Sequence, residues 1–173
     1  ASGTVDVDYD DNGRPIGSDW DIGAYEYPLL GYWQFEEGSG TTSADSSGHG
    51  NTASLMSGTA WESVRCGETV TLDGTSDWID LGQIDLGTKS YTVGVWFKTT
   101  RSSQQTIFAA TATSSTNHAM FLERDSAGHV QFVHRSPAAS SGGTTLASTD
   151  TYRDGAWHLA VAVKSTTELR LYV

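Results

Sequence analysis

Few groupings in the 173-residue sequence have the types and spacing that covalent chemistry requires. Glycoside hydrolysis needs two carboxyl groups held about 5–5.5 Å apart for retention, or farther apart for inversion. On one strand that demands alternate positions on a single face, as in Glu-x-Asp-x-x-Glu, and that full pattern does not occur among the 21 Asp and Glu. Glu36 and Glu37 are adjacent, so on a strand they point to opposite faces. Neither Gly-x-Ser-x-Gly nor His-Glu-x-x-His is present. His129 and His134 are an odd number of residues apart, which again separates them across a strand, and His49, His118 and His158 are scattered. Cys66 is the single cysteine, which rules out an intrachain disulfide and a cysteine-built zinc site; a small buried residue is expected there. The residues point to a protein that is not an enzyme.

Binding chemistry is better represented. Residues 8–19, DYDDNGRPIGSD, fit the calcium-loop template, with Asp8, Asp10 and Asn12 at positions 1, 3 and 5, Gly13 at 6 and Asp19 at 12. Against that, no helical pattern flanks the loop and Pro15 falls in its second half. Sugars stack on exposed aromatic faces and hydrogen-bond to neighbouring polar groups. Trp61, Trp78 and Trp96 are candidates for stacking, with Arg101 and Asn117 as polar partners; packing within the sheets is the alternative role for the same Trp residues. Asp73, Asp77 and Asp80 share one region, where Asp73-Gly74 reads as a hairpin turn, as does Asp154-Gly155. Trp157 and His158 open a strand, and one of the two is expected to pack beneath the loops.

The elements that must position these residues are strands. Apolar residues recur with period two, as in a half-buried sheet. Tyr91, Val93, Val95 and Phe97 share one face, Leu159, Val161 and Val163 another, and Leu169, Leu171 and Val173 a third. Shorter candidates are 31–37, 68–74, 77–82, 106–111, 119–125 and 129–135, punctuated by Gly, Ser, Asn and Asp turns. Residues 136–150, rich in Ser, Thr and Gly, read as a long surface loop. No helical pattern stands out, so the expected fold is all-β, a sandwich or barrel.

Ten Lys and Arg against 21 Asp and Glu give a net charge of −11, which repels phosphate backbones and argues against nucleic acid. Seven acids and one Arg lie in residues 1–27, an extended acidic segment that ends before Pro28. A domain boundary is therefore expected there, with 1–28 as one piece and 29–173 as another. No apolar run approaches the roughly 18 residues of a membrane span, so no membrane insertion is expected, and no signal peptide is visible.

From Leu30 onward the sequence resembles the laminin-G-like, concanavalin-A-like lectin/glucanase jelly-roll modules of large secreted bacterial proteins. The resemblance is carried by GYWQFEEGSGTTSADSSGHGN (31–51), VTLDGTSDWIDLG (70–82), YTVGVWFKT (91–99) and DGAWHLAVAVKSTTELRLYV (154–173). It implies an antiparallel β-sandwich, incomplete at its C-terminal end. It also implies a structural Ca2+ at the loop after the first strand, held by Asp45 with carbonyls near Gly48 and Asn51; an Asx-turn at Asp45 fits the same residues. The stretch 6–27, closing on DIGAYEY, resembles the tail of a right-handed parallel β-helix domain of the pectate-lyase type. The function implied is a non-catalytic carbohydrate-binding or adhesion module, monomeric, at the cell surface or outside the cell. Its partner would be a polysaccharide or glycoconjugate. Two other roles fit the same resemblance: an accessory module of a polysaccharide lyase or glycoside hydrolase whose active site lies in the upstream β-helix, and a structural spacer.

Overall fold

The computed structural model describes residues 29–84, 86, 90–111 and 118–173. Every regular element among them is a β-strand, and the strand pairings are antiparallel, so the expected all-β class holds. The acidic segment 1–28, with its calcium-loop template and β-helix-like tail, lies outside the described residues, and so does Asn117. The chain divides into two compact units, Ala1–Ile84 and Asp85–Val173.

The first unit is built from short strands. They are β1 (Thr42–Ser43), β2 (Ala53–Met56), β3 (Ala60–Val64), β4 (Gly67–Thr71) and β5 (Trp78–Asp80). β2 lies between β1 and β5 in one sheet, while β3 and β4 form a separate hairpin. Ala53 and Leu55 of β2 are buried, along with Ser43 of β1. The expected strand at 31–37 does not form: its only bridge joins Trp33 to Asp45. Phe35 has a φ of 55°, a left-handed conformation that breaks an extended run. The Trp33 indole folds back over Gly31, where a Cβ would fall 2.2 Å from the ring, so this close approach requires glycine. Cys66, expected to be buried, is exposed in the β3–β4 turn, because a two-residue hairpin tip has no interior side.

The second unit is a two-layer sandwich of β6 (Tyr91–Phe97), β7 (Gln105–Thr111), β8 (His118–Arg124), β9 (His129–Ala139), β10 (Thr144–Thr151), β11 (His158–Lys164) and β12 (Leu169–Tyr172). β7 to β10 form a four-stranded meander, and β6 pairs with β11, which pairs with β12, in a three-stranded sheet. Tyr91, Met120, Leu122, Val130, Phe132, Ala160 and Ala162 form the buried core between the sheets, with Val93, Val95, Phe97, Leu169 and Leu171 packed against it. Burying such alternating faces is what drives two sheets together.

The stretch 136–150 is not a long loop. β9 runs on to Ala139 and β10 begins at Thr144, so a tight turn replaces it. Gly142 and Gly143 supply the positive φ values of 74° and 98° that the reversal needs. A Ser/Thr-rich strand carries little apolar periodicity, and its backbone pairing with β9 is what forms it. The Asp73-Gly74 and Asp154-Gly155 turns are real but are not hairpins. Each leads from a strand of one sheet to a strand of another.

Candidate functional site

β6 and β11 each present one face to the core and the other outward. Register decides which residues share the outer face. Trp96 lies opposite Leu159, Val161 lies opposite both Gly94 and Tyr172, and Val163 lies opposite Arg170. Ala160 and Ala162 are the residues turned inward, so the larger Leu159, Val161 and Val163 form the outside. Trp96 is 64% exposed and Tyr172 52%, and Leu159 is also exposed. Two strand separations and an offset of two residues along the strands place the two aromatic residues roughly 12 Å apart on that face. Trp157, just before β11, is exposed as well, whereas His158 packs edge-on against Tyr152 with ring centroids 4.9 Å apart. At the β12 edge, Arg170 is bonded to the Glu168 carboxylate and next to the Tyr172 hydroxyl, and these partners push its pKa up. The result is a flat apolar floor with aromatic rings standing on it and a polar border. Such a surface can stack on the apolar face of a pyranose ring and bond its hydroxyls at the rim.

The other Trp candidates are divided. The Trp61 indole donates to the Gly40 carbonyl at 2.8 Å and is half-buried, so it braces the first unit. Trp78 is 49% exposed on β5, opposite Met56. Arg101 is exposed on the loop after β6, beyond the end of that strand. Tyr172, Leu159 and Trp157 were missed by the residue-level reading. The exposed face of a sheet is defined by register, and only the alternation of Leu159, Val161 and Val163 hinted at it.

Asp45, Gly48 and Asn51 do lie in one loop. Asp45 Oδ1 accepts from the Tyr32 and Ser47 amides and Oδ2 from the Asn51 amide, each at 2.9 Å. Burial alone would raise its pKa, but the Ser47 hydroxyl and these three amides outweigh that and hold the carboxyl far below its usual range. The Asn51 backbone carbonyl accepts the Trp33 indole N–H at 2.6 Å, and the Asn51 side-chain Nδ2 donates to the Leu30 carbonyl at 2.8 Å. Calcium requires six to eight oxygens turned toward one point. Here N–H groups surround the carboxylate and the Asn51 carbonyl is already engaged, so the loop in this arrangement does not fit the ion and fits the Asx-turn. No group of three or more His, Cys, Asp or Glu suited to a metal occurs among the described residues.

The carboxylates that could have formed a catalytic pair are also occupied with backbone. Glu36 Oε2 accepts from the Glu68 amide at 2.9 Å and Glu37 Oε1 from the Ala44 amide at 2.7 Å. Asp73 Oδ1 accepts from the amides of Thr75, Ser76 and Asp77, which together hold its pKa down. His129 turns to Asp125 and His134 to the Tyr91 hydroxyl at 3.0 Å, so the two histidines serve different contacts.

The strands of the second unit make an antiparallel β-sandwich with exposed aromatic residues on the outer face of one sheet. Residues 73–173 match the family described as the Concanavalin A-like lectin/glucanases superfamily, in its Laminin_G_3 branch, and the chain belongs to that family. Among solved structures, it is similar to an S-layer domain-containing protein from Clostridium thermocellum ATCC 27405, known from a 2.1 Å crystal structure. The two are 27% identical with a TM-score of 0.60, over 82% of this chain and 67% of that one. No curated protein matches the chain.

Proposed function

We propose that this protein is a non-catalytic carbohydrate-binding or adhesion module, working at the cell surface or outside the cell, and that its contact surface is the outer face of the β6–β11–β12 sheet. One observation carries the reading: Trp96, the most exposed large apolar side chain among the described residues, stands beside Leu159 on the outer face that also carries Val161 and Tyr172. Leaving an indole in water is unfavourable, and a pyranose face is a ligand that covers it while its hydroxyls keep contact with solvent. Membership of a superfamily of lectins and glucanases supports a glycan as partner. The S-layer domain-containing neighbour supports a surface location.

Affinity electrophoresis against a panel of neutral and acidic polysaccharides tests this. At least one polymer should retard the protein, and Trp96→Ala should weaken that retardation about tenfold, the equivalent of one lost aromatic stack. Retardation by no polymer would leave a structural spacer. Retardation unchanged in Trp96→Ala would move the site elsewhere.

A further inference from the structure

A glycine inside a strand is unfavourable, because it loses more backbone freedom on folding than any other residue and has no side chain to pack. Gly94 lies in the middle of β6. A left-handed backbone or a contact too close for a Cβ would account for it, as at Gly143, which has both: a φ of 98°, and a Cβ that would fall 2.5 Å from the His134 carbonyl oxygen. Neither holds at Gly94. Its φ lies outside the left-handed region, and a Cβ there would meet only Leu159 Cδ1 at 3.9 Å and Val161 Cγ2 at 4.0 Å. Those are ordinary van der Waals contacts, so the fold itself does not require glycine at this position.

The same two contacts show where the missing side chain would stand. Gly94 lies opposite Val161 and Trp96 opposite Leu159, so position 94 opens onto the outer face of the β6–β11–β12 sheet. Thr92, Gly94 and Trp96 line that face along β6, Leu159, Val161 and Val163 along β11, and Arg170 and Tyr172 along β12. No atom of Trp96 or Thr92 comes within 4 Å of the open position, so a gap one side chain wide is left bare beside the indole. The line from Trp96 to Tyr172 crosses β11 between Leu159 and Val161, the two residues that a side chain at position 94 would touch.

Charge and spacing indicate what fills the gap. Among these outward positions the one charged side chain is Arg170, which is held by Glu168, and Lys98 stands at the border past the end of β6. The chain as a whole carries −11, which repels polyanions, so the face suits a neutral ligand. Trp96 and Tyr172 are roughly 12 Å apart on one face, wider than a single pyranose ring. A polymer that keeps successive rings in one ribbon covers both aromatic residues, whereas a coiled one covers only one of them.

We propose that the bare position at Gly94 admits a sugar ring of a neutral, extended, β-linked polysaccharide running from Trp96 toward Tyr172, and that Gly94 is a specificity-determining residue. The proposal rests on the glycan-binding reading above and deepens it to a ligand class. A ring settled over Gly94 lies against Leu159 and Val161 and beside the indole, contacts that any larger side chain at position 94 would occupy itself.

Affinity electrophoresis of the whole chain in glucomannan, mixed-linkage β-glucan, amylose and polygalacturonate tests it. At least one of the two β-linked neutral polymers should retard the protein about tenfold more strongly than amylose or polygalacturonate does. Gly94→Thr should lose about tenfold on that polymer while melting no lower than the parent, since threonine suits a strand and meets no clash there. If Gly94→Thr melts lower, Gly94→Ala carries the test: its methyl group meets only van der Waals contacts, and it should lose about threefold. Parent-like retardation of the variant that keeps the parent's melting temperature would overturn the role of Gly94, and a loss in Trp96→Ala alone would leave the aromatic site standing without it. Retardation by amylose or polygalacturonate as strong as by the β-linked polymers would overturn the ligand class and leave the glycan-binding reading intact. Retardation of the parent by no polymer would overturn both.

Discussion

The two units solve the same problem with different materials. In residues 29–84 the buried apolar side chains are Ala53 and Leu55, and the backbone is tied by carboxylates: Asp45, Asp73 and Asp77 each gather main-chain amides, as Glu36 and Glu37 do singly. In residues 86–173 the core is Phe132, Met120, Leu122 and Val130 closed over by small alanines. A short-stranded unit with little apolar area must spend its acids on loops. The exposed face carrying Trp96, Leu159 and Tyr172 falls in the second unit.

The strongest way to break the contrast is to hollow the packed core. Phe132→Ala should cost about 3–5 kcal/mol, seen as a lowered urea midpoint and as lost amide protection in β8 and β9. If β2 and β5 lost protection equally, the units would not be energetically separate.

Next in size is the Asp45 hub. Asp45→Ala leaves three amides without an acceptor and should cost about 1–2 kcal/mol, read in the exchange of β1 and β2. Calcium or a chelator should leave the melting temperature unmoved in both proteins; a calcium-dependent rise that vanishes in Asp45→Ala would restore the ion to this loop.

Acid should separate the units without a mutation. Asp45 and Asp73 have depressed folded pKa values, so their stabilisation is complete above the unfolded value near 4 and is lost as pH falls from there toward the folded values. Asp125 and Asp154 are depressed in the same direction but lie in turns outside the apolar core. Between about pH 4 and pH 2, β2 should lose exchange protection before β8; the reverse order would break the contrast.

The smallest expected effect is at the β12 edge. Glu168→Ala removes an exposed ion pair with Arg170 and should leave the midpoint of thermal melts essentially unmoved, because solvent screens the pair.

Much of this architecture was legible. The alternation in 91–97, 106–111, 119–125, 129–135 and 168–173 translates directly into strands, because a period of two needs a sheet to bury it. The separation of His129 from His134, and of Glu36 from Glu37, also followed from spacing, although in the second pair the residues diverge in an irregular segment rather than on a strand. Trp96 was a named candidate, but nothing local distinguished it from Trp61, whose indole is pinned to a carbonyl 21 residues away.

The sequence alone therefore determined the all-β class and the turns at Asp-Gly and Ser-Gly-His-Gly, since each depends on neighbours along the chain. The tertiary structure decided which face of each strand is inside. In 158–164 alternation offers two faces, Leu-Val-Val or Ala-Ala, and local hydrophobicity favours the first. The opposing sheet brings Phe132, Met120 and Leu122 into the gap, so close packing admits the alanines and turns Leu159 and Val161 outward beside Trp96. The same closure buries Arg124 and makes a strand of 144–151. Volume and register are properties of what lies across the gap, and no window of sequence contains them.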